Sequence, residues 1–232
     1  VSSGLICNAL GDDAAGRDAF SKLLTSGVQH CGRLLNDIET PLGVVISDRR
    51  GGRTYLWRRD QRVLDTLDSA DISMIADAQV LYVDWYDGEH WMRPIMESVR
   101  HGVSTFFNIE YAHNDRTLLQ RIKKRVRFIQ GVTNENQIGG DASSVAKKLL
   151  STGAEIAIVT EAEKGCLAMT ASQSIRVTAP GVDVVDACAA GATLSAGYIY
   201  GFLREWSMIQ SLRFGVAAAS LQCTSVGPVA FP

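Results

Sequence analysis

From residue 78 onward the chain alternates apolar strand-like runs with amphipathic helical stretches, a pattern that restricts it to a mainly parallel sheet covered by helices. The pattern predicts strands over 79–83, 103–107, 127–129 and 155–160, with helices over 90–101, 116–124 and 142–151 between them. Residues 164–170 and 174–178 read as a hairpin, 182–185 as a short valine-rich strand, 193–203 as a helix and 207–224 as a closing alanine-rich helix. Residues 40–60 break this rhythm. Runs at 44–47 and 53–58 alternate around Asp48-Arg-Arg-Gly-Gly52, a glycine-turn hairpin that Arg49, Arg50, Arg53, Arg58 and Arg59 make basic. A solvated edge is the ordinary meaning of such charge; a cover for a phosphorylated sugar or a protein is the other.

With 232 residues and 46% hydrophobic content the chain can bury a sizeable core as one domain, which excludes disorder. A net charge of -2 gives no global positive field, so neither nucleic acid nor an anionic membrane is an expected partner. No apolar run is long enough to span a bilayer, and the opening Val-Ser-Ser-Gly-Leu-Ile-Cys lacks the pattern of a signal peptide, so the cytoplasm is the expected location. Five cysteines, odd in number and without a C-x-x-C pair, argue against a disulfide framework and a zinc knuckle and for reduced, mostly buried thiols. His30, His90, His101 and His113 are isolated and show no metal-ligand spacing. The basic run 121–127 has the apolar interleaving of a helix end with a solvated face. Asp84-Trp-Tyr-Asp87 follows a strand, where it either faces a ligand or packs beneath the hairpin.

The stretch Asp186-Ala-Cys-Ala-Ala-Gly-Ala-Thr-Leu-Ser-Ala-Gly197 runs small residues into an apolar helix. Ala189, Ala190 and Gly191 would let an anion approach the free amides of a first helical turn, although the same composition suits a plain tight connection. This segment resembles the second signature of the PfkB (ribokinase-like) carbohydrate kinases, Asp-Thr-Thr-Gly-Ala-Gly-Asp-Thr-Phe-x-Ala-Gly. Asp186, Ala190, Gly191, Thr193, Ala196 and Gly197 match; Ala187 and Cys188 replace the threonines, Ala189 the first glycine, and Ala192 the catalytic aspartate. Other pieces follow in the family's order. Gly11-Asp12-Asp13-Ala-Ala-Gly16 with Ser26-Gly27-Val28 is similar to its Gly-x-Asp-x-x-Gly segment, and Thr40 falls at its lid threonine. Asn108-Ile-Glu110 stands where Asp-x-Asn is common, Asn134-Glu-Asn-Gln137 resembles Asn-x-x-Glu, and Thr160 to Gly165 resembles Thr-x-Gly-x-x-Gly with Ala162 for the middle glycine. Gly227 and Pro232 fit the closing Gly-x-x-x-x-Pro.

The resemblance implies an α/β ribokinase-like three-layer sandwich with a mainly parallel central sheet and a small β-hairpin lid at about 40–60, a single domain over 1–232. It implies an N-terminally incomplete chain, because the family's first strand and its sugar-binding aspartate have no counterpart before Val1. It implies ATP with Mg2+ as phosphate donor and a sugar or sugar-like alcohol as acceptor; separately, the exposed edge of the hairpin makes a homodimer through it an expectation. By resemblance, Ala189, Ala190 and Gly191 form the anion hole, and Asn134, Gln137, Thr160, Ala162 and Gly165 bind nucleotide. Thr40 and Asn108 face substrate and lid, and no side chain binds metal directly. A positioned base is typically worth about 10²- to 10⁴-fold, which Ala192 cannot supply. The departures at Ala192, Gln137, Ala162 and Ala189 together read as natural divergence rather than one engineered alanine. The expected function is an impaired sugar kinase, with a pseudokinase that senses nucleotide or sugar, or holds a protein, as the alternative. Asp186 is expected to be a structural cap of the turn.

Overall fold

Short apolar runs near the amino terminus pair only in twos. Strand β1 (Gly4–Leu5) runs parallel to β3 (Gln29–His30), β2 (Leu10–Gly11) parallel to β4 (Leu34–Leu35), and β5 (Leu42–Ser47) antiparallel to β6 (Arg53–Arg58). The computed structural model describes residues 2–47, 53–133 and 140–227; the expected hairpin turn with Arg49 and Arg50 lies outside them. Helix α1 (Ala14–Thr25) follows β2 because Asp13 caps it, accepting from the Gly16 amide. Asp60 caps the short α2 (Gln61–Asp65), and Ala9, Ile38 and Val63 make a small buried cluster. The chain gathers into two compact units, residues 1–77 with 87–97 and residues 78–86 with 98–232.

The second unit carries a six-stranded sheet in the order β12-β11-β10-β9-β8-β7. Strands β7 (Val80–Asp84), β8 (Ser104–Glu110), β9 (Phe128–Val132) and β10 (Ile156–Thr160) are parallel, whereas β11 (Cys166–Met169) and β12 (Ser174–Val177) add an antiparallel hairpin. The connecting helices are α3 (Met92–His101), whose residues are divided between the two units, α4 (Arg116–Ile122) and α5 (Ala142–Leu150). Two helices close the chain, α6 (Ala190–Leu203) and α7 (Met208–Gln222).

Period-two alternation sends Phe106, Phe128, Ile158, Ala168 and Val177 to one face, where they pack with Leu194 and Tyr198 of α6 and Leu212 and Val216 of α7. The intervening Phe107, Ile129, Ala157, Val159 and Leu167 are buried on the other, and α5 packs there with its buried Val145, Ala146 and Leu149. Helices α6 and α7 approach at glycine: a Cβ at Gly197 would stand 2.7 Å from the Gly215 Cα.

Three expectations are corrected. Residues 182–185 form no strand; Val184 and Val185 are exposed, and the amides of Val185 and Asp186 donate to the Cys223 carbonyl instead of a neighbouring strand. Helix α6 starts at Ala190 rather than 193, because left-handed Ala189 (φ 63) ends the turn sooner. Only Cys166 is buried, the other four cysteines being half-buried.

Candidate phosphoryl-transfer site

Register places Asp84, Asn108 and Gln130 side by side on the last residues of β7 and near the ends of β8 and β9. Each lies two residues beyond Tyr82, Phe106 or Phe128, so alternation turns all three toward α6. Asp84 Oδ2 accepts from the Tyr82 hydroxyl at 2.9 Å and from Asn108 Nδ2 at 3.2 Å. Gln130 Nε2 donates to the Gly191 carbonyl at 3.1 Å, and its Oε1 accepts from the Ser195 hydroxyl at 2.8 Å. Asn108, Gln130 and Ser195 are buried, so this polar row fastens the first turn of α6 to the sheet. Asp84 Oδ1 and Trp85 Nε1 are buried without a partner among the described residues. Each such atom costs about 1–3 kcal/mol unless a water or ligand meets it. Burial raises the Asp84 carboxyl above the usual carboxylate range, against the hydrogen bonds from Tyr82 and Asn108.

At the start of α6, Ala189 is the N-cap and has no side chain to offer the helix. Its carbonyl accepts from both the amide and the hydroxyl of Thr193, each at 2.9 Å. The amides of Gly191 and Ala192 point out of the first turn with no acceptor recorded among the described residues, where the helix dipole favours negative charge. Ala192 adds only an exposed methyl. Asp186 is used up beneath the turn, accepting from Cys188 N at 2.9 Å and from Gly227 N at 3.0 Å.

The loop after β10 carries Thr160, Ala162 and Gly165. Ala162 keeps a positive φ of 50°, and Gly165, at φ 91°, lies so close to β12 that a Cβ would meet the Val177 carbonyl oxygen at 2.0 Å. Glu161 of this loop pairs with Arg176. Beside it an open cavity of about 360 Å³ has Val177, Pro180, Ile209 and Val216 as its apolar wall and Arg176 and Arg213 as its cationic rim. Among the described residues, no group of three or more His, Cys, Asp or Glu is placed to share a metal ion, and no helix is long and apolar enough to cross a membrane.

Comparison with known proteins identifies the fold. The chain superposes on the adenosine kinase of Sinorhizobium meliloti with a TM-score of 0.85 at 18% identity, over 97% of this chain and 73% of that one. A candidate ribokinase II from E. coli, solved in complex with ATP and Mg2+, gives 0.84 at 17% identity, over 98% and 79%. The fold is ribokinase-like. Residues 129–232 match the family model described as pfkB family carbohydrate kinase, which includes α6, the loop after β10 and the cavity. A 5-dehydro-2-deoxygluconokinase of Listeria innocua serovar 6a is 32% identical over 88 residues, 38% of this chain and 27% of that protein. The chain spans only 26% to 42% of the length of the curated relatives it matches.

Within the ribokinase-like fold, the expected site residues fall into separate places. Ala189, Ala190, Gly191 and Ala192 come together at the α6 turn; Thr160, Ala162 and Gly165 form the loop beside the cavity; Asn108 is buried in the polar row. Asn134 and Gln137 lie outside the described residues. Thr40 belongs to the first unit and is buried in a latch: its hydroxyl donates to Asp13 Oδ1 at 2.8 Å, its amide donates to Asp13 Oδ2 at 3.0 Å, and its oxygen accepts from Gly11 N at 3.1 Å. Gly11 and Gly16 permit this closeness, since a Cβ at either would stand 2.6 Å from the Ile38 carbonyl or 2.2 Å from that of Gly11. Gln130, Ser195 and Tyr82 were not among the expected residues. For Gln130 the signal was a polar residue two positions after an aromatic on a strand, as at Asp84 and Asn108; Ser195 and Tyr82 carried no comparable signal.

Proposed function

We propose that this chain belongs to a sugar kinase whose anion-binding turn is kept and whose proton-accepting base is lost. The exposed methyl of Ala192, on the same first turn as the free amides of Gly191 and Ala192, carries this reading. ATP with Mg2+ fits the residues present. Val177, Pro180 and Val216 would offer an apolar wall to the adenine, Arg213 a cation for the phosphates, and the free amides of Gly191 and Ala192 an anion site for the transferred phosphoryl group. ATP would supply the phosphoryl group. The magnesium would take its ligands mainly from phosphates and water, because Gln137 brings no negative charge. Sugar acids and sugar phosphates are the acceptors to try first, given the relatives named 5-dehydro-2-deoxygluconokinase and ATP-dependent 6-phosphofructokinase.

Calorimetric titration with MgATP, alongside a phosphotransfer assay with 5-dehydro-2-deoxygluconate and fructose 6-phosphate, tests this reading. Nucleotide binding without turnover is the expected result. Absence of nucleotide binding would sink it, as would turnover at the roughly 1–100 s⁻¹ of ordinary kinases. Binding without turnover also defines the pseudokinase alternative, a nucleotide or sugar sensor built on the same scaffold.

The second part of the proposal is a homodimer formed through β5 and β6. Val44, Ile46, Leu56 and Trp57 of this two-stranded sheet are all exposed, more apolar surface than an isolated hairpin normally offers water. Light scattering should give a dimer mass that Trp57→Ser reduces; a monomer at tens of micromolar would refute it.

A further inference from the structure

The parallel pairing of β1 with β3 sets Gly4 beside Gln29 and Leu5 beside His30; continued in the same register it sets Cys7 beside Gly32, the residue after Cys31, so the two cysteines lie on a diagonal. The pairing persists past the strands: Cys31 N donates to the Leu5 carbonyl at 3.4 Å, and Cys31 Sγ lies 3.7 Å from the Cys7 carbonyl oxygen. Cys7 Sγ sits over the backbone of Gly32, where a Cβ would be 2.6 Å from it, so the Cys7 sulfur occupies a gap beside Cys31 that only a glycine leaves open. Both residues are half-buried, so a small oxidant can reach them. Cys166, by contrast, is buried within the sheet.

We infer that Cys7 and Cys31 are a dithiol that closes to a reversible disulfide. Burial, then the neighbouring Cys31, pushes the Cys7 thiol up to about 11, so reaction begins at Cys31. With oxidised glutathione as the oxidant, the Cys31 thiolate attacks one sulfur of the glutathione disulfide. The first glutathione leaves as a thiolate and takes the proton that Cys31 gave up. Cys7 then attacks the Cys31 sulfur and passes its proton to the second glutathione as that leaves. The protein loses two hydrogen atoms and two glutathione molecules gain them. The bond closes a loop holding β2, α1 and the Gly11–Asp13 turn that grips Thr40, so oxidation would stiffen that latch.

The test is incubation of the native protein with oxidised glutathione at mildly alkaline pH, followed by alkylation, digestion and peptide mass analysis. A linked Cys7–Cys31 peptide is expected, with two of the five cysteines no longer alkylated, both effects reversed by dithiothreitol. The urea midpoint should be higher in the oxidised form. Cys7→Ser should trap glutathione on Cys31, and Cys31→Ser should leave Cys7 unmodified. Five alkylatable thiols in the native protein, or mixed disulfides without the linked peptide, would overturn the inference, provided the same protein oxidises in urea.

Discussion

Asp13 shows how one carboxylate organises its surroundings. The Thr40 amide, the Gly16 amide and the Thr40 hydroxyl, in that order, hold its carboxyl down at about 2. An aspartate in the unfolded chain titrates near 3.9 (approximately), so the native state is favoured above that value and this contribution disappears as pH falls toward about 2. Urea midpoints measured from pH 5 downward should therefore fall more steeply for the parent than for Asp13→Asn, and the variant should already be weaker at pH 5. Parallel curves would show that Asp13 is not the group responsible. The glycine and aspartate spacing of this motif was legible in the sequence because close backbone contact leaves Gly11 and Gly16 no alternative. Ala162 and Ala189 were legible only as replacements for glycine. Both keep a left-handed backbone despite their Cβ, at roughly 1–2 kcal/mol each. The unpartnered oxygen of Asp84 was not legible at all, since burial of one atom depends on Tyr82, Asn108 and the neighbouring indole taken together.

Strands β7 to β12 and helices α4, α5 and α7 fall within a few residues of where the sequence pattern places them, because the central strands, buried on both faces, read as continuous apolar runs and the helices each keep one buried face. Periodicity failed where local backbone decides. Valine-rich 182–185 has strand composition but no strand beside it, and the start of α6 is set by the conformation of Ala189, which residue type alone does not reveal. Packing of α6 on α7 rests on the facing glycines. Gly197→Ala would drive a methyl to 2.7 Å from the Gly215 Cα, forcing the helices apart. The expected cost is about 1–3 kcal/mol, seen as a lower urea midpoint with an unchanged slope. An unaltered midpoint would mean the helices have room to separate freely.

Across the whole chain, alternation of strands and helices was enough to point to the layered architecture, and the ordered motif fragments pointed to the ribokinase-like variant of it that the structural comparisons show. What no pattern could provide is whether a scaffold with Ala192 in its first α6 turn still transfers phosphate. The parent and Ala192→Asp should be assayed in parallel for MgATP-dependent sugar phosphate formation over one panel of sugars, sugar acids and nucleosides. An aspartate in the first turn of α6 is favoured by the helix dipole by about 0.3–1 kcal/mol, so the variant is expected to fold. The account predicts turnover at least about 10²-fold above the parent, at a nucleotide affinity close to the parent's. Equal rates in the two proteins, with both binding nucleotide, would contradict it.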